Sequence, residues 1–303
     1  MTSYFFHDPK DTKELNNQDD KLEKSDLKPK INNQSFIMPS VICNDLSLIT
    51  PLALLTVNKV NNAIYLIDRQ AKVLWGYEFN TKSSLNQIEF AELTSKKTVI
   101  FGDQHKIYEI NLSDKKIIRN LDYKVKSTSL TKDGNLLITD SYDNTVKEID
   151  NQEQVIWYYI NSHQSEPNHA IRLKNGNTLI TYSDEAYVSE VTNDKNEVWS
   201  FGKFGKKGND QESLNNPKYA LRLVNGNTLI TDNKNNRIIE VNENKNIVWN
   251  YQGSQANKLV LPNYAKRLKN GNTYIAHTGN RQFLEVNTED QVVWKLFIDS
   301  LNR

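Results

Sequence analysis

Three stretches of this chain repeat almost letter for letter: His169-Ala-Ile-Arg-Leu-Lys-Asn-Gly-Asn-Thr-Leu-Ile-Thr181, Tyr219-Ala-Leu-Arg-Leu-Val-Asn-Gly-Asn-Thr-Leu-Ile-Thr231 and Tyr264-Ala-Lys-Arg-Leu-Lys-Asn-Gly-Asn-Thr-Tyr-Ile-Ala276. A looser fourth copy runs Leu130-Thr-Lys-Asp-Gly-Asn-Leu-Leu-Ile-Thr-Asp140. In each, Asn-Gly or Asp-Gly parts two apolar runs, and glycine readily takes the positive φ that a tight hairpin needs. A third run follows: Val146-Lys-Glu-Ile149, Val188-Ser-Glu-Val191, Ile238-Ile-Glu-Val241 and Phe283-Leu-Glu-Val286. A fourth run then ends on Trp157, Trp199, Trp249 or Trp294. Four short strands within about 40 to 50 residues is the size of one propeller blade.

Two degenerate units precede these. Leu54–Val57, Ile64–Ile67 and Val73–Trp75 supply the last three strands of one, and Phe90–Leu93, Thr98–Phe101, Ile107–Ile110 and Ile117-Ile118 supply the other, with Arg119 where tryptophan would stand. The reading is therefore an all-β chain, a six-bladed β-propeller of four-stranded antiparallel blades over residues 36–303. The expected blades are 46–80, 86–121, 127–161, 168–202, 217–252 and 262–298. A lone blade leaves both faces apolar and is stable only between neighbours in a ring, and ring closure also removes exposed sheet edges. The outer-strand tryptophan is expected to pack on the adjacent blade. Glu148, Glu190, Glu240 and Glu285 sit mid-strand among apolar residues, where an unpaired charge is costly. Arg172, Arg222 and Arg267 recur in the first strand, and pairing inside each blade is the expectation.

Composition bounds the function. Of 303 residues, 38 are basic and 37 acidic, a net charge of +1 that offers no electrostatic argument for nucleic acid or an anionic membrane. A single cysteine, Cys43, allows neither an internal disulfide nor a multi-cysteine zinc site. No apolar run reaches the roughly 18 to 20 residues of a membrane span, and Met1–Asp8 lacks the pattern of a secretory signal, so a cytoplasmic location is expected. Residues 1–35 are charged and amide-rich and read as a mobile tail, with a partner-binding helix over Asp11–Lys24 as the alternative.

The Asn-Gly-Asn-Thr-Leu-Ile-Thr-Asp blocks followed by Asn235-Asn-Arg-Ile-Ile-Glu-Val241 resemble NHL-type propeller repeats. The longer pattern, His-x-x-x-Leu-x-Asn-Gly-Asn-Thr-Leu-Ile with later Glu-Val and Val-Trp, is similar to the arylsulfotransferase family of six-bladed propellers. The Val-x-Trp ending is similar to PQQ-type quinoprotein repeats, although one cysteine rules out the vicinal disulfide that the cofactor would call for. The arylsulfotransferase resemblance implies a channel histidine as sulfuryl-carrying nucleophile, aided by other histidines and an arginine. His169 matches that position, with Arg172 or His277 as the assisting group, while the equivalent places in the next two units hold Tyr219 and Tyr264.

The turn entering the first strand and the turn between the second and third strands should converge on one face around the channel. That rule gathers Asn168, His169, Lys218, Tyr219, Asn263 and Tyr264 with Asp140, Ser141, Tyr182, Ser183, Asp232, Asn233, His277 and Thr278. The set holds hydroxyls, amides and aromatics, without a repeated acid pair or metal-ligand spacing, and suits a polar ligand or a peptide. The basic stretch Lys203-Phe-Gly-Lys-Lys-Gly208 reads as a solvated inter-blade loop. The expectation is a monomeric, non-catalytic module that binds a protein or small polar ligand at the channel face. Asn168, His169, Tyr182, Tyr219, Asp232, Asn263, Tyr264 and His277 are its contact residues, with no cofactor, metal, nucleic acid or membrane. The alternative is an arylsulfotransferase-like enzyme working through His169. An RNA-binding propeller of the NHL kind is disfavoured by the near-zero charge.

Overall fold

The Asn-Gly-Asn hairpin folds as its glycine dictates. Gly176 takes φ +88°, with its N–H donating to the Leu173 carbonyl at 3.0 Å while Leu173 N–H donates to the Asn177 carbonyl at 2.7 Å. Gly134, Gly226 and Gly271 repeat the geometry at φ 81°, 90° and 86°. The computed structural model describes residues 37–39, 54–58, 62–79, 87–94, 97–103 and 105–297. The expected mobile tail over 1–35, with its alternative helix at Asp11–Lys24, lies outside the described residues.

The chain is an all-β propeller of four-stranded antiparallel blades, and each sheet uses four consecutive strands. Blade 2 runs Phe90–Leu93, Thr98–Gly102, Ile107–Asn111 and Ile117–Leu121. Blade 3 runs Val125–Leu130, Leu136–Asp140, Thr145–Ile149 and Val155–Tyr159. Blade 4 comprises His169–Arg172, Thr178–Tyr182, Tyr187–Val191 and Glu197–Phe201. Blade 5 comprises Pro217–Arg222, Thr228–Asp232, Arg237–Val241 and Ile247–Tyr251, and blade 6 Pro262–Arg267, Thr273–His277, Gln282–Val286 and Val292–Phe297. Ahead of these five lies a sheet of the same order, blade 1, made of Ile37–Pro39, Leu54–Asn58, Ala63–Ile67 and Val73–Glu78. Its first strand precedes the expected start at residue 46. Residues 40–53 part it from its partner strand, so no Asn-Gly hairpin marks the pairing.

Burial lies between blades, as two-faced sheets require. One cluster joins Ile171, Leu179 and Val188 of blade 4 to Ile230, Ile239 and Val241 of blade 5. Another spans Leu55, Val57 and Ile64 of blade 1, Ala91 and Phe101 of blade 2, and Tyr274 and Phe283 of blade 6. First and last blades therefore meet by packing, since neither lends the other a strand.

Polar clasps reinforce these joints. Asn175 and Asn177, from the hairpin, both donate to Oε1 of Glu190 in their own blade, and Arg222 of the next blade donates to Oε2 at 2.5 Å. Glu240 repeats this with Asn225, Asn227 and Arg267, while Glu148 accepts from Asn135 and from Arg172 at 2.5 Å. Each guanidinium also lies over the preceding blade's tryptophan: Arg172 over Trp157 at 4.4 Å, Arg222 over Trp199 at 5.2 Å and Arg267 over Trp249 at 4.7 Å. The expected blade-internal pairing is thus corrected: the ion pairs join neighbouring blades. The first strand of a blade lies nearer the preceding blade's carboxylate than its own, which the hairpin asparagines already hold.

The degenerate joints obey the same logic. At the last joint, Arg69 of blade 1 pairs with Glu285 at 2.8 Å and covers Trp294 at 4.6 Å. Leu66 replaces the glutamate in blade 1, opposite Trp75, and Leu93 occupies the arginine place of blade 2, opposite Val99, so no charge is stranded there. Blade 3 has Leu130 in the arginine place, and Glu109 of blade 2 is instead paired at 3.3 Å by Arg119, the residue standing for tryptophan. Carboxylate and guanidinium come and go together.

Arg172→Met leaves Glu148 buried without its cation and is expected to cost about 3 kcal/mol in urea unfolding. Arg119→Trp alone should also destabilise, and adding Leu130→Arg should recover at least about 1 kcal/mol as a coupling energy. Additive effects of the last two substitutions would refute the exchange.

Candidate functional site

The first strands of blades 3, 5 and 6 enter the channel face through a bulge. In blade 5, Pro217 faces Asp232 and Tyr219 faces Thr231, so Lys218 is the extra residue. Asn263 holds the same place in blade 6 and Lys126 in blade 3. Asn168, just before the first strand of blade 4, donates its backbone N–H to the Thr181 carbonyl.

Below these lies a plug. The His169 ring stands 4.4 Å from Tyr219, and Tyr219 stands 4.4 Å from Tyr264, so one aromatic column crosses blades 4, 5 and 6. Tyr219 and Tyr264 pack in the same cluster as Leu55, Ala91 and Leu93 from blades 1 and 2. The equivalent positions in blades 2 and 3 are Phe90, packed with Val125 and Leu136, and the small Ser127. His169 is 0% exposed, and burial lowers its pKa to about 3, so it is a neutral imidazole. Burial raises the Tyr219 phenol well above its usual range, and Glu92 adds to the rise. Glu92, on the blade 2 side, accepts from Leu130 N–H and from Thr128 Oγ1 of blade 3. Its carboxyl thus satisfies an inner-strand donor, and desolvation raises its pKa to about 8.

All eight expected contact residues are buried. Asn168 donates to the Lys218 carbonyl at 2.9 Å, joining blade 4 to blade 5. Asn263 accepts from Asn233 and donates to Thr278. Asp232 pairs with Arg237 at 2.7 Å and accepts from Asn235 and from Asn215 N–H. His277 meets Gln282 Oε1 at 3.1 Å, and burial lowers its pKa to about 4. Tyr182 packs with Trp157, Tyr159 and Val191. The structure thus brings His169, Tyr219 and Tyr264 together in one column, whereas His277 and Tyr182 are engaged elsewhere. Arg172, the assistant named by the sulfotransferase resemblance, belongs to the Glu148 clasp. These residues build the floor of the face.

Of Tyr142, Lys207, Lys218 and Lys234, which stand nearer solvent, the turn rule gathers only Lys218. Tyr142, in the turn after Asp140, is 85% exposed, and Lys234 and Lys207 are exposed. Lys218 is half-buried; desolvation and the neighbouring Lys126, Lys234 and Lys207 lower its pKa to about 8, against an opposing pull from Asp184. Lys207 arrives there because the basic loop folds back. Gly208 N–H donates to the Leu214 carbonyl, and Arg237 donates to the carbonyls of Asn209, Asp210 and Ser213. Lys218 is the residue just before the repeated Tyr219, whereas Lys126 precedes Ser127 and so lacks that mark in the sequence. Among the described residues no cluster of three or more His, Cys, Asp or Glu could hold a metal, and no helix is long and apolar enough to cross a membrane.

No family model matches this chain, and no curated protein matches it. Among solved structures it is similar to a protein of unknown function from Bacteroides caccae, at 18% identity and a TM-score of 0.64 over 82% of this chain and 94% of that one. It is also similar to a streptogramin B lyase, at 12% identity and a TM-score of 0.60 over 81% and 79% of the two chains. A third likeness is the WD40 propeller domain of Doa1, at 16% identity and a TM-score of 0.58 over 81% and 79%. At these identities the likeness shows the propeller fold alone.

The buried groups set a pH profile. His169 and His277 have folded pKa values below the unfolded value, so the stability they support is present above about 6.5 and is lost as pH falls through about 4 and 3. Each contributes a slope of up to about 1.4 kcal/mol per pH unit. Glu92 has the opposite sign: its folded pKa is raised, so its contribution is full below about 4.5 and is lost as pH rises through about 8. Denaturation midpoints measured against pH should peak near 6.5, with the acid limb flattened in His169→Gln and the alkaline limb in Glu92→Gln. Unchanged limbs in both variants would contradict these assignments.

Proposed function

We propose that this propeller is a non-catalytic binding module that takes a protein partner or small polar ligand on the channel face of blades 3 to 5. The observation that supports it is the division of labour on that face. His169, Tyr219, Tyr264, Asn168, Asn263 and Asp232 are buried in construction, while Tyr142, Lys218 and Lys234 stand above them within reach of solvent. A nucleophile must reach its substrate, and His169 is fully buried against Tyr219 within the aromatic column, which weighs against the sulfuryl-transfer reading. The lyase among the structural neighbours is a propeller at 12% identity and brings no residue correspondence with it.

A thermal-shift screen of polar metabolites and short peptides tests this. A hit should lose its shift in Tyr142→Ala combined with Lys234→Ala, and keep it in the rim variant Ile156→Ser, whose side chain is exposed on an outer strand. A hit that maps to the rim, or turnover abolished by a stable His169→Ala, would overturn the proposal.

A further inference from the structure

The near-zero net charge conceals a local excess at the channel mouth. Lys218 is held at the blade 5 bulge, its carbonyl fixed by Asn168 and that of Pro217 by Ser183. Its ammonium has no carboxylate within ion-pair distance among the described residues, although the side chain is half-buried. Lys234 N–H donates to the Asn215 carbonyl and Lys207 bridges Leu214, so both border the segment that leads into Lys218, while Lys126 holds the equivalent bulge of blade 3. These three lysines oppose the Lys218 charge and Asp184 favours it. Among the described residues, Lys126 is the one lysine of the group with an ion pair, to Glu166 at 2.6 Å. Around the Lys218 ammonium three further lysines stand against Asp184, and Glu166 is already taken by Lys126, a local excess of positive charge in a place where desolvating a cation is costly. A phosphate monoester carries about −1.5 to −2 at neutral pH and matches that excess. Lysines serve such a group as point charges, while the bidentate geometry that favours a carboxylate calls for arginine. The nearby arginine, Arg237, is already committed to Asp232 and the loop carbonyls.

The geometry points to a phosphate-binding site at the mouth of the channel, formed by Lys218, Lys126, Lys234 and Lys207. The phosphate is either free or carried as a monoester on a partner. This rests on the channel-face reading above and names its ligand class. The exposed Tyr142, whose turn is tied to the Lys124 carbonyl through Ser141, stands at the blade 3 end of the arc and would contact whatever carries the phosphate.

Isothermal titration of the full chain at low salt and near-neutral pH decides it, using inorganic phosphate, a phosphoserine peptide and the unphosphorylated peptide. Phosphate and phosphopeptide should bind and the unphosphorylated peptide should not. Lys218→Met, which keeps the length of the side chain, should weaken binding about tenfold or more. Lys234→Glu, an exposed change that leaves the fold intact, should weaken it as well. Lys195→Met, on the outer rim over Tyr158, should have no effect. Tighter binding of the phosphopeptide indicates a carried group, and equal binding a free one. Absence of phosphate binding, wild-type affinity in both Lys218→Met and Lys234→Glu, or tighter binding of single-stranded RNA than of phosphopeptide overturns the assignment. A neutral ligand bound at the channel face with unchanged affinity in Lys218→Met would overturn the phosphate site and leave the binding module standing. A phosphate site lost in Lys218→Met, on a chain that also shows His169-dependent turnover, would do the reverse.

Discussion

The ring depends on a carboxylate shared between two blades. Glu148, Glu190 and Glu240 each offer one oxygen to hairpin asparagines of their own sheet and the other to an arginine of the next. A glutamate buried this deeply is costly to desolvate, and one neighbour cannot satisfy all its lone pairs. Dividing the acceptor between a local and a distant donor links folding of a blade to its docking. The tryptophan beneath the guanidinium covers the pair, and in two of the three clasps it supplies its own indole N–H to the following blade. Trp157 donates to the Asn193 carbonyl and Trp249 to Asp290.

The same constraint explains the irregular units. Where a leucine replaces the glutamate, the opposing arginine is gone, and where the arginine is gone, Arg119 takes the place of tryptophan and neutralises Glu109 from within the blade. The inner strands follow a parallel rule: their unpaired edges face the channel, and donors and acceptors there find side chains of neighbouring blades. Glu92 accepts from Leu130 N–H, and Ser129 donates to the Ala170 carbonyl. Filling the axis with His169, Tyr219 and Tyr264 removes water from these bonds and fixes the level above which a ligand must sit.

The propeller and its blade order were legible in the sequence because hairpin glycines, strand alternation and outer tryptophans are local signals with a fixed period. The first strand of blade 1 was not, since residues 40–53 separate it from its partner and carry no turn signature. For the candidate site the turn rule gathered residues of the channel-face turns, and all eight expected contact residues are buried. Asn168, Asn263, Asp232 and His277 have the composition of a ligand surface, yet each spends its polar atoms on structural neighbours. The lysines above them look, in sequence, like ordinary solvated charge.

The sequence by itself determined the all-β class, the repeat length, the hairpin geometry and the single position shared by five tryptophans, because these rest on backbone preference and on period. Only the tertiary structure decided which blade each arginine serves, which of the channel-face residues are buried, and that the loop carrying Lys207 bridges Leu214, just ahead of the strand that carries Lys218. The first two outcomes depend on distances between residues far apart in the chain. The electrostatic and desolvation energies that select them vanish once the blades are separated.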